Sequence, residues 1–159
     1  MTSKTAELDL QFMRKALELA EAAARHGDVP VGAVLVMDGE IAAVGYNQKE
    51  ANHDPTAHAE MVALRQASAR RGGWRLGGAT LYVSKEPCVM CAAACVAARI
   101  DRIVFACADE KNGGAGSVFD ITNDPRLNHR VTVEQGTLAQ EAADMLQAFF
   151  KARRGTGEL

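Results

Sequence analysis

The chain has 159 residues, 48% of them hydrophobic and 24% charged, and a formal net charge of −2. That length supports one domain with a real core and is too short for two ordinary ones. The slightly acidic balance lacks the overall basic footprint of phosphate binding, so net charge by itself gives no support for a nucleic-acid partner.

Residues 1–9 are polar and carry no secretory signal core. Over residues 9–26, Leu10, Met13, Leu17, Ala20 and Ala24 recur three or four apart, which predicts an amphipathic helix stopped by Gly27. Residues 31–37 are apolar and β-prone. Asp38-Gly39 then forms a hairpin turn, and residues 41–46 return as a second strand. A polar loop at 52–56, with Asp54-Pro55 as its turn, leads to a helix over 57–70. Residues 71–78 hold four glycines and form a loop. A strand at 80–83, a helix at 88–98 and a strand at 102–106 make a unit whose crossover is parallel and right-handed. Residues 111–117, with three glycines, read as a flexible loop; 131–134 is a fifth strand and 138–153 a closing helix. The expected fold is one α/β domain over 1–159, a three-layer α/β/α arrangement with a mixed five-stranded sheet and helices on both faces.

The longest apolar run, 89–98, is too short to span a bilayer, so no membrane is expected. The four cysteines are Cys88, Cys91, Cys95 and Cys107. Three of them crowd into 88–95, which suits metal binding in a reducing compartment better than a disulfide framework and points to a cytoplasmic protein.

The chemistry concentrates in His58-Ala59-Glu60 and Pro87-Cys88-Val89-Met90-Cys91. One imidazole and two thiolates hold zinc by three protein ligands and leave a position open for water, as catalytic sites do. Both halves fall at predicted helix starts, where the positive end of the dipole favours thiolates. Glu60 is placed to shuttle protons for a zinc-bound hydroxide. Residues two apart on a regular helix diverge, so spacing alone does not bring His58 and Glu60 together. A closed structural site with Cys95 as fourth ligand is the rival reading, although Cys95 sits mid-helix in an Ala-rich stretch and reads more naturally as core. Cys107 also reads as core.

At these residues the chain resembles the bacterial tRNA-specific adenosine deaminases, within the zinc-dependent cytidine deaminase-like superfamily whose signature this is. The likeness extends to Val29-Pro30-Val31-Gly32-Ala33-Val34, His53-Asp54-Pro55-Thr56-Ala57, Glu86-Pro87, residues 113–117 and Asn128-His129-Arg130-Val131, and covers about 8–154. Lys85 departs from it, standing where an apolar or small residue is expected. The resemblance implies a zinc ion on His58, Cys88 and Cys91, with Glu60 as the proton shuttle. It implies Asn47 on the purine ring, Val29 and Ala59 lining the base pocket, and Asp109 and Lys111 on sugar and phosphate. Phe150, Arg153 and Arg154 would meet the anticodon loop, although Phe150 reads equally well as helix packing. The implied reaction converts the wobble adenosine of an arginine tRNA anticodon to inosine, in a homodimer. A free-base or nucleoside deaminase, for guanine or cytosine, shares the zinc signature. A non-catalytic zinc-stabilised RNA-binding subunit has no use for Glu60.

Overall fold

The computed structural model describes residues 3–156, so the last three residues of the short, non-basic tail at 155–159 lie outside it. In chain order the elements are α1 (Ser3–Arg25), β1 (Gly32–Met37), β2 (Glu40–Tyr46), α2 (Lys49–Asn52), α3 (Ala59–Arg71), β3 (Thr80–Lys85), α4 (Val89–Ala98), β4 (Arg102–Cys107), β5 (Thr132–Gln135) and α5 (Ala139–Thr156). The sheet runs β2-β1-β3-β4-β5. The β1–β2 and β1–β3 pairs are antiparallel, and β3–β4 and β4–β5 are parallel. This is the mixed five-stranded sheet expected, and β3-α4-β4 is its parallel crossover.

Alternation along the strands divides the core. From β1, Ala33 and Leu35 face α3 and α4, packing with Ala63, Leu64, Cys95 and Val96. Val34 and Val36 face α1 and α5, packing with Phe12, Met13, Leu17 and Ala142. Each fully buried Val, Leu, Phe or Met among them contributes about 1.5–3 kcal/mol. Helix α1 lies so close to the sheet that a Cβ at Gly32 would come within 2.0 Å of the Ala16 carbonyl oxygen. At the hairpin, Asp38 and Gly39 both take positive φ, 53° and 77°. That is the geometry two-residue turns need to match strand twist.

Other element ends shift by one to three residues from the sequence reading, and three differences have a physical reason on view. Helix α1 starts at Ser3 and not at residue 9, because its first turns are solvent-facing and leave no apolar period to read. Strand β3 runs past residue 83 to Lys85, and the Ser84 hydroxyl accepts a hydrogen bond from the Gly32 N–H at 3.1 Å. The short α2 was not anticipated; residues 49–52 have no buried face.

Candidate active site

Strand β3 ends beside the starts of α3 and α4, and the cleft opens there. His58 is not inside α3. It is the residue before the helix, extended at φ −71° and ψ 154°, and Ala59 and Glu60 are the first helical residues. The change from extended to helical backbone turns both side chains onto one cleft, of about 430 Å³. Cys88 plays the same part before α4, at φ −70° and ψ 177°, and Cys91 follows in the first turn.

The ligating atoms of His58, Cys88 and Cys91 lie within 4.8 Å of one another. His58 Nδ1 is 3.6 Å from Cys88 Sγ and 3.5 Å from Cys91 Sγ. A tetrahedral zinc ion, bonded at about 2.3 Å to sulfur and about 2.05 Å to nitrogen, separates such atoms by about 3.5 Å. The donor set therefore fits zinc in both chemistry and spacing. Cys95 is fully buried in the core and does not join the group, so the closed four-ligand arrangement is not formed.

The electrostatics ready Cys88 as a thiolate and leave Cys91 and His58 holding their protons more tightly. Hydrogen bonds from Cys91 and His58 hold the Cys88 thiol down at about 4, against the effect of burial. Donating that hydrogen bond, together with burial, pushes the Cys91 thiol strongly up. The pair thus keeps one proton, which ligation of an ion by both sulfurs must release. The hydrogen bond to Cys88 and the nearby Glu60 charge raise the His58 imidazole, against burial. Burial raises the Glu60 carboxyl to about 7, helped by the Cys88 charge and opposed by hydrogen bonds and by His58. A carboxyl poised near neutrality can both take and give a proton at working pH.

Residues 6–107 match the cytidine and deoxycytidylate deaminase zinc-binding region. A tRNA-specific adenosine deaminase of Streptococcus pyogenes is 45% identical over 143 residues, spanning 90% of each chain. The chain belongs to the tRNA-specific adenosine deaminase family. A solved tRNA:A34 deaminase, studied for A-to-I editing at the wobble position of transfer RNA, superposes with a TM-score of 0.83 at 41% identity. That match covers 86% of this chain and 99% of the other. A guanine deaminase from Nitrosomonas europaea is more distant, at TM-score 0.73 and 26% identity, covering 88% and 83%.

Around the metal group, the structure brings some of the family's expected residues to the cleft and sends others elsewhere. Val29, Asn47, Asp109 and Phe150 line it. Asn47 is nearly buried at the end of β2, and its Oδ1 accepts the Ala59 N–H at 2.8 Å, tying β2 to the start of α3. Ala59 does not line the pocket: its side chain is fully buried in the core. Lys111 is exposed and off the cleft wall; its N–H caps Asp109 Oδ1 at 3.0 Å. The Arg153 guanidinium turns back to donate to the Gly27 carbonyl and lies 4.8 Å over the Phe149 ring. Arg154 is exposed.

The loop expected to be flexible at 111–117 is instead wrapped around a buried carboxylate. Glu86 accepts the N–H groups of Asp109, Ala115 and Ser117 at 3.0–3.1 Å, and the Ser117 hydroxyl as well. A Cβ on Gly113 would stand 2.4 Å from Glu86 Oε2, so only glycine lets the loop close this tightly. Sequence reading missed Glu86. The usable signal was a carboxylate directly before Pro87-Cys88 with a glycine-rich loop downstream to supply donors. Lys85 finds its reason here too, because its Nζ reaches Asp109 Oδ2 at 3.2 Å. Burial raises the Asp109 carboxyl, but the Asn112 and Lys111 N–H groups and Lys85 outweigh it and hold the group below its ordinary value.

Proposed function

We propose that this chain deaminates the wobble adenosine of a tRNA anticodon, arginine tRNA included, to inosine with release of ammonia. The observation that carries the chemistry is the buried Glu60 carboxyl opening on the same cleft as His58, Cys88 and Cys91. Bound zinc supplies Lewis-acid activation of the attacking water. Glu60 would take one proton from that water and deliver it to the ring nitrogen next to the reacting carbon. It would then carry the second proton, from the hydroxyl added to that carbon, to the amine, which leaves as ammonia as the C=O forms. Asn47 has its oxygen committed to Ala59, which leaves its amide N–H groups to meet an acceptor on the purine. Val29 and Phe150 give apolar walls for a planar base. The adenosine must leave its stack to enter, and an anticodon loop allows this at modest cost.

The adenosine substrate is supported by the 45% identity to a tRNA-specific adenosine deaminase. Asp109, Lys111, Phe150, Arg153 and Arg154 are assigned to the RNA side. Asp109 acts there as the organiser of its loop, and Arg153 through the seat it gives α5 and Phe150. The working form is a cytoplasmic homodimer of one-domain chains, each with one zinc ion. Among the described residues no helix is long and apolar enough to cross a membrane.

Incubating the zinc-loaded protein with an adenosine-containing anticodon stem-loop, followed by nucleoside mass analysis, tests the reading. Inosine at the wobble position is expected. The likeness to a guanine deaminase makes free guanine and cytosine the necessary controls. Rapid turnover of a free base beside an inert stem-loop would replace this function with nucleobase deamination.

A further inference from the structure

Helices α3 and α4 start at the cleft and end at the opposite pole, about 20 Å away by the length of α3. At that pole the chain's single tryptophan, Trp74, is 55% exposed, the most of any large exposed hydrophobic side chain described. The Arg75 guanidinium lies 4.8 Å from its ring centroid and that of Arg99 lies 5.6 Å away. Arg70 and Arg71 end α3 beside it. Residues 61–85 contain no Asp or Glu at all. Among the described residues, none of these four arginines has an ion pair within 4.0 Å. Arg70 and Arg99 donate only to neutral backbone carbonyls, so their charge is not cancelled.

We infer that this pole is a second RNA-contact surface that engages the body of the tRNA beyond the anticodon stem-loop, an inference that rests on the RNA substrate proposed above. Four uncompensated guanidiniums match a phosphate backbone, and an exposed indole flanked by guanidiniums is a stacking platform for an unpaired base. The charge is local, in a chain of net charge −2, and so marks a place and not a general stickiness. A stem-loop held at the cleft occupies the other end of the domain, whereas a whole tRNA extends far enough to reach both.

Trp74 reports on its own surface, because no other tryptophan contributes to the emission. The zinc-loaded protein is titrated with a full-length tRNA transcript carrying a wobble adenosine, and separately with its anticodon stem-loop. Full-length tRNA should quench Trp74 emission, and the stem-loop should not. The exposed pair Arg71→Ala with Arg75→Ala should weaken full-length tRNA binding about tenfold and lower its salt slope by about 2. Stem-loop deamination by that variant should stay within about twofold of wild type. Unchanged emission at saturating tRNA, or equal quenching by the stem-loop, overturns the inference. Emission that tracks protein concentration without RNA also overturns it, by identifying a second copy of the chain as the occupant. Quenching by tRNA without inosine formation supports the surface and rejects the wobble reaction, so the two failures are distinguishable.

Discussion

The divergence of His58 and Glu60 on a helical wheel is resolved by one backbone step. With His58 extended and Glu60 in the first turn, an imidazole and a carboxyl two residues apart serve one cleft. The sequence made the ligand types and their helix-start positions legible because those depend on local spacing. The convergence of His58 and Glu60 was not legible, because it depends on the dihedrals of the capping residue. Glu60→Gln should keep zinc at wild-type content and lower kcat by about 10²–10⁴, the range for loss of a positioned proton carrier. Metal analysis beside stem-loop kinetics checks this, and a variant retaining near-full activity would remove Glu60 from the proton path. Cys95 is fully buried in the core and stands outside the His58, Cys88 and Cys91 group, and burial pushes its thiol far up. Cys95→Ala should therefore leave zinc content unchanged and cost only about 1 kcal/mol of packing. Zinc loss in that variant would return Cys95 to the ligand set.

Elements are held at the site by acceptors placed far along the chain. Glu86, at the end of β3, fixes a loop whose donors lie 23 to 31 residues downstream. No periodic pattern encodes such a partnership, which explains why residues 111–117 read as flexible although Gly113, Gly114 and Ala115 are buried. The longer helices and the strands were legible because each has an apolar face, and the central strands β1, β3 and β4 have two; the first turns of α1 and the whole of α2 lack such a face. Glu86→Gln would replace one acceptor oxygen by an amide nitrogen that cannot accept, stranding at least one N–H that Glu86 now satisfies. A loss of about 2 kcal/mol in urea unfolding is expected, together with weaker deamination as the Asp109 and Asn112 wall shifts. Unchanged stability would mean that the loop finds other acceptors. At the α1 interface, Gly32→Ala must displace the Ala16 carbonyl, and a cost of about 1–3 kcal/mol follows. A thermal midpoint equal to wild type would show that α1 can slide without penalty.

Across the whole molecule, one partly buried ion network closes the face away from α3 and α4. Arg102 on β4 forks onto Asp9 of α1, with Nη1–Oδ1 at 3.0 Å and Nη2–Oδ2 at 2.7 Å. It also reaches Glu134 of β5 at 2.6 Å, and the Tyr82 hydroxyl from β3 donates to Asp9 at 2.7 Å. Four elements meet at one guanidinium. Burial raises the Asp9 carboxyl, but the hydrogen bonds from Arg102 and Tyr82 and the Arg102 charge outweigh it and hold the group below its ordinary 3.8. Burial and the Asp9 hydrogen bond in turn push the Tyr82 hydroxyl up to about 12. A carboxyl depressed on folding contributes stability that is fully present above 3.8, the value in the unfolded chain. That contribution is lost as pH falls through the lower folded value. Asp9→Asn should cost about 3 kcal/mol near neutrality, since it leaves Arg102 with Glu134 alone. The variant should also lose less stability than wild type as the pH is lowered below 3.8. Both proteins release zinc when their ligands protonate, so the comparison is made on metal-free samples. Parallel urea midpoints for the two proteins down to the lowest pH would show that Asp9 is protonated as easily in the fold as outside it, and the network would lose its claim on acid stability.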